Sequence, residues 1–234
     1  GDPCVMSPPN PPPDADDREV EPHQHTFSFV DLAGFTAATE VHGDSTAVEL
    51  AERLVEVATN SLGAGDQLVK SIGDAVMLVS DTPLSAVRLV GAICNALDDE
   101  PAFPVLRAGM HEGPAIGRGG DWFGSAVNLA ARVAAHAAGD QVLSTAAVAN
   151  AASEAGFDTR PLGDVRLRNV REPVPLFEVV ACPTLPDRVI DPVCHMAVDR
   201  RSAPGRLRHH DHEHLFCSLE CAGAFAADPD RYTA

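Results

Sequence analysis

Lys70, in the stretch QLVKSIGDAVMLVSD, is the single lysine of a 234-residue chain whose other 16 basic residues (17 − 1) are arginine. A lysine is a compact charge with three donors, whereas arginine is a wide planar fork, so this position favours the smaller head group. Two carboxylates accompany it. Asp31 ends an expected strand and Asp74 occupies the turn of the expected hairpin that carries Lys70. If those strands are neighbours, the pair suits a hard divalent cation, which takes oxygen ligands and commonly binds one or two carboxylates plus substrate phosphates. Taken singly, each aspartate would be an ordinary turn residue. Gly34, Phe35 and Thr36 follow Asp31, and the glycine lets backbone N–H groups approach phosphate oxygens closely. Asn128 and Arg132 lie four apart and share one face of an expected helix, and Asp121, in the glycine-rich lead to it, offers an acceptor where Lys70 offers a donor. Separately, Asn128 and Arg132 would be solvated surface groups.

The elements that must position these residues alternate. A strand over residues 27–31 precedes a helix beginning near a capping box at Thr46–Glu49, with Leu50, Leu54, Val57 and Ala58 on one face. QLVKSI and AVMLVS read as a hairpin around Gly73–Asp74, and Pro83 opens a helix running to about Leu97. VLRAGMHEG is a strand, SAVNLAARVAAHA a helix, QVLS a strand, AAVANAAS a helix, and DVRLRNV with PLFEVV a closing hairpin. The order βαββαβ, with further elements, predicts an α+β ferredoxin-like sandwich. Residues 1–25, rich in proline and acidic side chains, are expected to be disordered. Residues 26–181 form the main domain, 182–188 a proline-bearing linker and 189–234 a small second module.

A formal net charge of −17 and a sequence pI near 4.8 argue against a nucleic-acid partner, which requires a basic stripe. No apolar run approaches the roughly 20 residues of a membrane span, and no signal-peptide pattern opens the chain, so a cytoplasmic protein is expected. Six cysteines, three of them (Cys194, Cys217, Cys221) near the end, suit a local metal site better than a disulfide framework, and reduced thiols are expected.

From Phe27 to Val180 the chain resembles the class III nucleotidyl cyclases, through FVDLAGFT, VKSIGDAVML, RAGMHEGPAIG and DWFGSAVNLAARV in order and at family-like spacing. The resemblance implies that Asp31 and Asp74 hold two Mg2+ or Mn2+ ions and that Lys70 and Asp121 read the adenine edge of ATP. It implies that Asn128 and Arg132 orient the ribose and stabilise the pentavalent phosphorus, the product being 3',5'-cyclic AMP. It also implies a homodimer with shared sites. The family's usual triphosphate-contacting lysine is missing from VRLRNVREPV, which offers Arg168 and Arg171, with Arg168 favoured. The segment between Gly113 and Asp121 is shorter than in many relatives, which bears on the dimerisation arm. Two other readings stay open: a nucleotide-binding cyclase-homology domain without turnover, and a metal sensor or carrier whose front domain only dimerises.

The tail resembles the small YHS metal-binding domain through DPVCHM, FCSLEC, Phe225 and DPDRY. Cys217 and Cys221 are one helical turn apart, and Cys194 joins them from an earlier loop. Three thiolates plus a histidine or water suit Zn2+ or a softer ion, with His212 and His214 as possible fourth ligands. The plainer reading makes HHDHEH a solvated loop and the thiols small buried hydrophobes.

Overall fold

The computed structural model describes residues 23–98, 100, 103–181 and 187–233. Strand β1 (His23–Leu32) leads into α1 (Phe35–Asn60), the hairpin β2 (Asp66–Ile72) and β3 (Ala75–Ser80), α2 (Pro83–Asp98) and β4 (Leu106–Arg118). These pair antiparallel in the order β2-β3-β1-β4, the ferredoxin-like arrangement expected. Beyond them come β5 (Asp121–Phe123), α3 (Ser125–His136), β6 (Val142–Thr145), α4 (Ala146–Glu154), β7 (Thr159–Val165) and β8 (Val174–Val179). β6 adds parallel to β4, and β8 and β7 extend that edge.

Strand alternation divides the interior. Val30, Leu32, Val76, Leu78, Ala108 and Met110 point to the face covered by α1, α2 and α4, whereas Phe27, Phe29, Met77 and Val79 meet Ala126, Ala130 and Ala134 of α3. Among the described residues, α3 is the helix that packs on this second face, and part of the sheet beside it carries no helix.

Four expectations need correction. β1 begins at His23, inside the stretch expected to be disordered; residues 1–22 lie outside the described residues. α1 starts at Phe35, not near Thr46, and passes a kink at Gly43 (φ 83°, ψ 168°); the Thr46 hydroxyl donates to the His42 carbonyl instead of opening a helix. The early turns were obscure in sequence because Phe35 and Val41 pack on a core that includes tail residues. β7 covers residues 159–165, and DVRLRNV mostly forms the following loop, where Leu167 buries under α3. Arg168 therefore sits exposed in a loop. Finally, Cys94 on α2 is disulfide-bonded, in contrast to the expected reduced thiols, while Cys194, Cys217 and Cys221 are free.

The tail comprises β9 (Arg188–Ile190), β10 (Ala197–Asp199), β11 (Gly205–His209), β12 (His212–Phe216), α5 (Leu219–Ala227) and a 3-10 turn at Pro229–Arg231. It does not stand apart. Val193, Cys194, Met196, Phe216, Cys221 and Phe225 belong to the same buried cluster as Leu54 and Ile93, and Ala197 N–H donates to the Phe103 carbonyl at 2.9 Å. Of the expected linker, residues 182–186 lie outside the described residues and Arg188 begins β9.

Candidate active site

Asp31 and Arg107 face each other directly across β1 and β4. Cross-strand partners share a face, so the guanidinium meets the carboxylate: Nε donates to Asp31 Oδ2 at 2.7 Å, and Nη2 lies 2.5 Å from the same oxygen as an ion pair. Asp31 Oδ1 is buried and has no hydrogen-bond partner among the described residues. Asp74, in the β2–β3 turn, is brought alongside, and its carbonyl accepts from Leu32 N–H at 3.2 Å. Burial and then the charge of Asp31 push the Asp74 carboxyl above the usual range, offset in part by Arg107. Two half-buried carboxylates, one with an orphaned oxygen and one reluctant to ionise beside the other, form a donor set short of positive charge. The hard oxygen chemistry of that set fits Mg2+ or Mn2+.

Gly34 follows in the left-handed conformation (φ 76°) and precedes the first turn of α1, so the Gly34-Phe35-Thr36 amides sit at a helix N-terminus next to the carboxylates. Arg107 was not identified from sequence. The signal available was its place opposite Asp31 in an antiparallel register, which only the pairing reveals.

Lys70 lies on β2 after a bulge and pairs in register with Met77, on the α3 side of the sheet. Its Nζ donates to Asp121 Oδ2 at 2.5 Å, and Asp121 Oδ1 accepts from Trp122 N–H at 2.8 Å. These bonds hold the Asp121 carboxyl below its usual range, the Lys70 contact first. Asp121 is delivered by a hairpin the sequence reading did not foresee: β4 runs on to Arg118 and turns through Gly119 (φ 61°) and Gly120 (φ 80°) into β5. Two consecutive positive φ values are what a tight two-residue hairpin needs. Trp122 then packs edge-on to His25 and Phe27.

Asn128 and Arg132 are exposed, one turn apart on α3, whose opposite face buries Ala126 and Ala130. Among the described residues, neither side chain has a protein partner. An ion pair thus ties Asp31 to Arg107, with Asp74 close enough to feel the Asp31 charge, and another ties Lys70 to Asp121, while among the described residues no bond or ion pair joins Asn128, Arg132 or Arg168 to either group.

The model of the adenylate and guanylate cyclase catalytic domain matches residues 19–179. The chain belongs to that family. A pH-sensitive adenylate cyclase of Mycobacterium tuberculosis (strain CDC 1551 / Oshkosh) is 40% identical over 160 residues, which cover 67% of this chain and 40% of that protein. An adenylate cyclase of Streptomyces griseus is 33% identical over 130 residues, 55% of this chain and 33% of that one. This member of the family therefore spans well under half the length of these curated relatives. Among solved structures, an adenylate/guanylate cyclase/hydrolase from Silicibacter pomeroyi aligns with a TM-score of 0.60 at 25% identity, covering 70% of this chain and 99% of that one. The adenylyl cyclase CyaB from P. aeruginosa has the same fold, with a TM-score of 0.59 at 20% identity over 71% of this chain and 97% of that one. Among the described residues, no helix of this cyclase-domain chain is long and apolar enough to cross a membrane.

Proposed function

We propose that the chain is an adenylate cyclase, converting ATP to 3',5'-cyclic AMP and diphosphate in sites shared by two copies of itself. The observation that carries this reading is the Lys70–Asp121 pair: a donor and an acceptor held side by side on the open face of a cyclase-family sheet. Adenine presents an acceptor at N1 and a donor at N6, so a lysine beside an aspartate complements it, whereas guanine reverses that polarity.

Asp31 and Asp74 are the residues that would hold two divalent cations, which would supply charge neutralisation of the polyphosphate and activation of the 3' oxygen. The remaining work falls to the chain's own groups. Gly34, Phe35 and Thr36 offer backbone N–H donors to phosphate oxygens at the start of α1. Arg107, already beside Asp31, is placed to exchange its carboxylate for a phosphate, a task for which Arg168 in its exposed loop is less well placed. Arg132 stabilises negative charge developing on the α-phosphate, and Asn128 fixes the ribose so that its 3' hydroxyl lies in line. Their lack of partners among the described residues supports a site completed by a second copy, as do Ile72, Ile116 and Phe123, exposed on the two hairpins that carry Asp74 and Asp121.

The test is direct. Purified protein given ATP and Mn2+ should form cyclic AMP, and Asp31→Ala should abolish it. Binding of ATP without turnover would favour the nucleotide-binding reading instead.

A further inference from the structure

The fourth partner of the three tail cysteines comes from the main domain. His42 Nε2, on α1 just before the Gly43 kink, lies 3.6 Å from Cys217 Sγ and 3.7 Å from Cys221 Sγ. Cys217 Sγ is 3.3 Å from Cys194 Sγ and 3.7 Å from Cys221 Sγ. All four ligand atoms fall within 4.8 Å of one another. The sulfur separations are far too long for disulfides, whose S–S bond is about 2.05 Å. They match the edges of a tetrahedron about one cation: Zn–S near 2.3 Å and Zn–N near 2.0 Å give S···S edges of about 3.8 Å and S···N edges of about 3.5 Å. His212 and His214, the expected candidates, are elsewhere. His212 pairs with His209 across β11 and β12, and His214 packs on Phe225.

The surrounding backbone holds this cluster in shape. Asp191 is fully buried and accepts from the N–H of Val193 at 2.8 Å and of Cys217 at 2.8 Å, tying the Cys194 turn to the start of α5. His195, next to the buried Cys194, takes a left-handed conformation (φ 60°), and the Ser218 hydroxyl accepts from Cys221 N–H to cap α5.

We infer that His42, Cys194, Cys217 and Cys221 form a Cys3His site for a borderline-soft divalent cation of the zinc class, fastening the tail to the first part of α1. The consequence is mechanical. The turn carrying Cys194 also carries His195, whose side chain lies so close to Gly34 that a Cβ there would stand 2.5 Å from it. His195 is hydrogen-bonded further through its carbonyl to Val105 N–H, and the Val105 carbonyl accepts from Ala33 N–H at 2.8 Å. The segment from Ala33 to His42 is thus held at one end by the Cys194–His195 turn and at the other by a ligand. A cation in the cluster orders that segment, and with it the amides that the proposed function assigns to phosphate; that last step alone rests on the cyclase reading.

The test uses the full chain at rest, with no nucleotide. The parent should bind one equivalent of Zn2+, and Co2+ in its place should give the visible bands of a tetrahedral ion and a thiolate charge-transfer band. His42→Ala should weaken Zn2+ binding by at least about 10- to 100-fold and alter the Co2+ bands, while His42→Cys should restore tight binding with an all-sulfur spectrum. Zn2+ should slow hydrogen exchange of residues 33–42 in the parent and not in His42→Ala. No stoichiometric Zn2+ in the parent, or His42→Ala with parental affinity and spectrum, overturns the ligand set. Exchange of residues 33–42 indifferent to Zn2+ overturns the coupling. All of these readouts stand whether or not the protein makes cyclic AMP.

Discussion

Arg107 holds one oxygen of Asp31 through a hydrogen bond and an ion-pair contact, and the other oxygen is buried with no partner among the described residues. The guanidinium thus occupies the place of a cation without saturating the carboxylate. Arg107→Gln should bind Mn2+ more tightly in the absence of ATP, because a competing charge is gone. It should also turn over ATP with kcat/KM lower by about 10- to 150-fold, the worth of a hydrogen bond to a charged group. Titration by Mn2+ paramagnetism and a steady-state cyclic AMP assay read the two effects, and a variant unchanged in both would remove Arg107 from the site.

That no bond or ion pair among the described residues joins the acidic group to Asn128 and Arg132 predicts complementation between two copies of the chain. Asp31→Ala and Arg132→Ala should each be inactive alone, yet an equal mixture allowed to exchange subunits should recover about a quarter of parental activity, one intact site in half of the dimers. No recovery despite demonstrated exchange would mean that the sites are not shared.

Lys70 and Asp121 offer a specificity test. Lys70→Glu with Asp121→Cys should move preference from ATP toward GTP. Lys70→Arg should keep the charge and lose about 5- to 150-fold in kcat/KM, since the planar fork cannot take the position of the ammonium. A Lys70→Arg variant as active as the parent would make the single lysine an accident of composition.

His111 predicts a pH dependence of stability. Burial holds its ring below the ordinary histidine range, and Nδ1 lies 2.8 Å from the Thr145 hydroxyl. The unfolded chain then binds this proton more readily than the folded one, so stability is full above about pH 6.5 and declines as pH falls toward the depressed value. Thermal melts from pH 7.5 downward should show this decline, and His111→Gln should flatten it.

Gly34 and Gly43 differ in what surrounds them. Both have positive φ, near 76° and 83°, but a Cβ at Gly34 strikes the His195 side chain whereas one at Gly43 meets nothing within 4 Å. Gly43→Ala meets no neighbour, but φ 83°, ψ 168° is a backbone region open essentially to glycine alone, so it should cost about 1 to 3 kcal/mol of strain. Gly34→Ala should cost clearly more than the left-handed strain at its own position, about 1 to 2 kcal/mol, and a melting shift no larger than that strain would deny the close packing of tail on loop.

Much of this was legible in the sequence because it is local or periodic. The alternation in β1 and β3, the Gly73–Asp74 turn and the apolar face of α1 beyond Thr46 are set by neighbours within a few residues. Asp31, Asp74, Lys70, Asp121, Asn128 and Arg132 were named from such positions, and the strands bring Asp31 to Asp74 and Lys70 to Asp121. What escaped depends on distant pairing. Arg107 acquires its role from register, the first turns of α1 from a tail more than 150 residues away, and His42 from the same docking. DVRLRNV misled because its alternation mimics a strand while Leu167 buries from a loop.

The shared core has a consequence for how the chain comes to fold during synthesis. Phe216, Cys221 and Phe225 lie in one cluster with Ala38, Leu54 and Ile93. A nascent chain that has emerged only as far as β8 has its sheet but lacks the tail members of the cluster on which Phe35 and Val41 pack. A fragment cut at residue 181 should therefore leave part of that cluster exposed to water and be more prone to aggregation than the full chain.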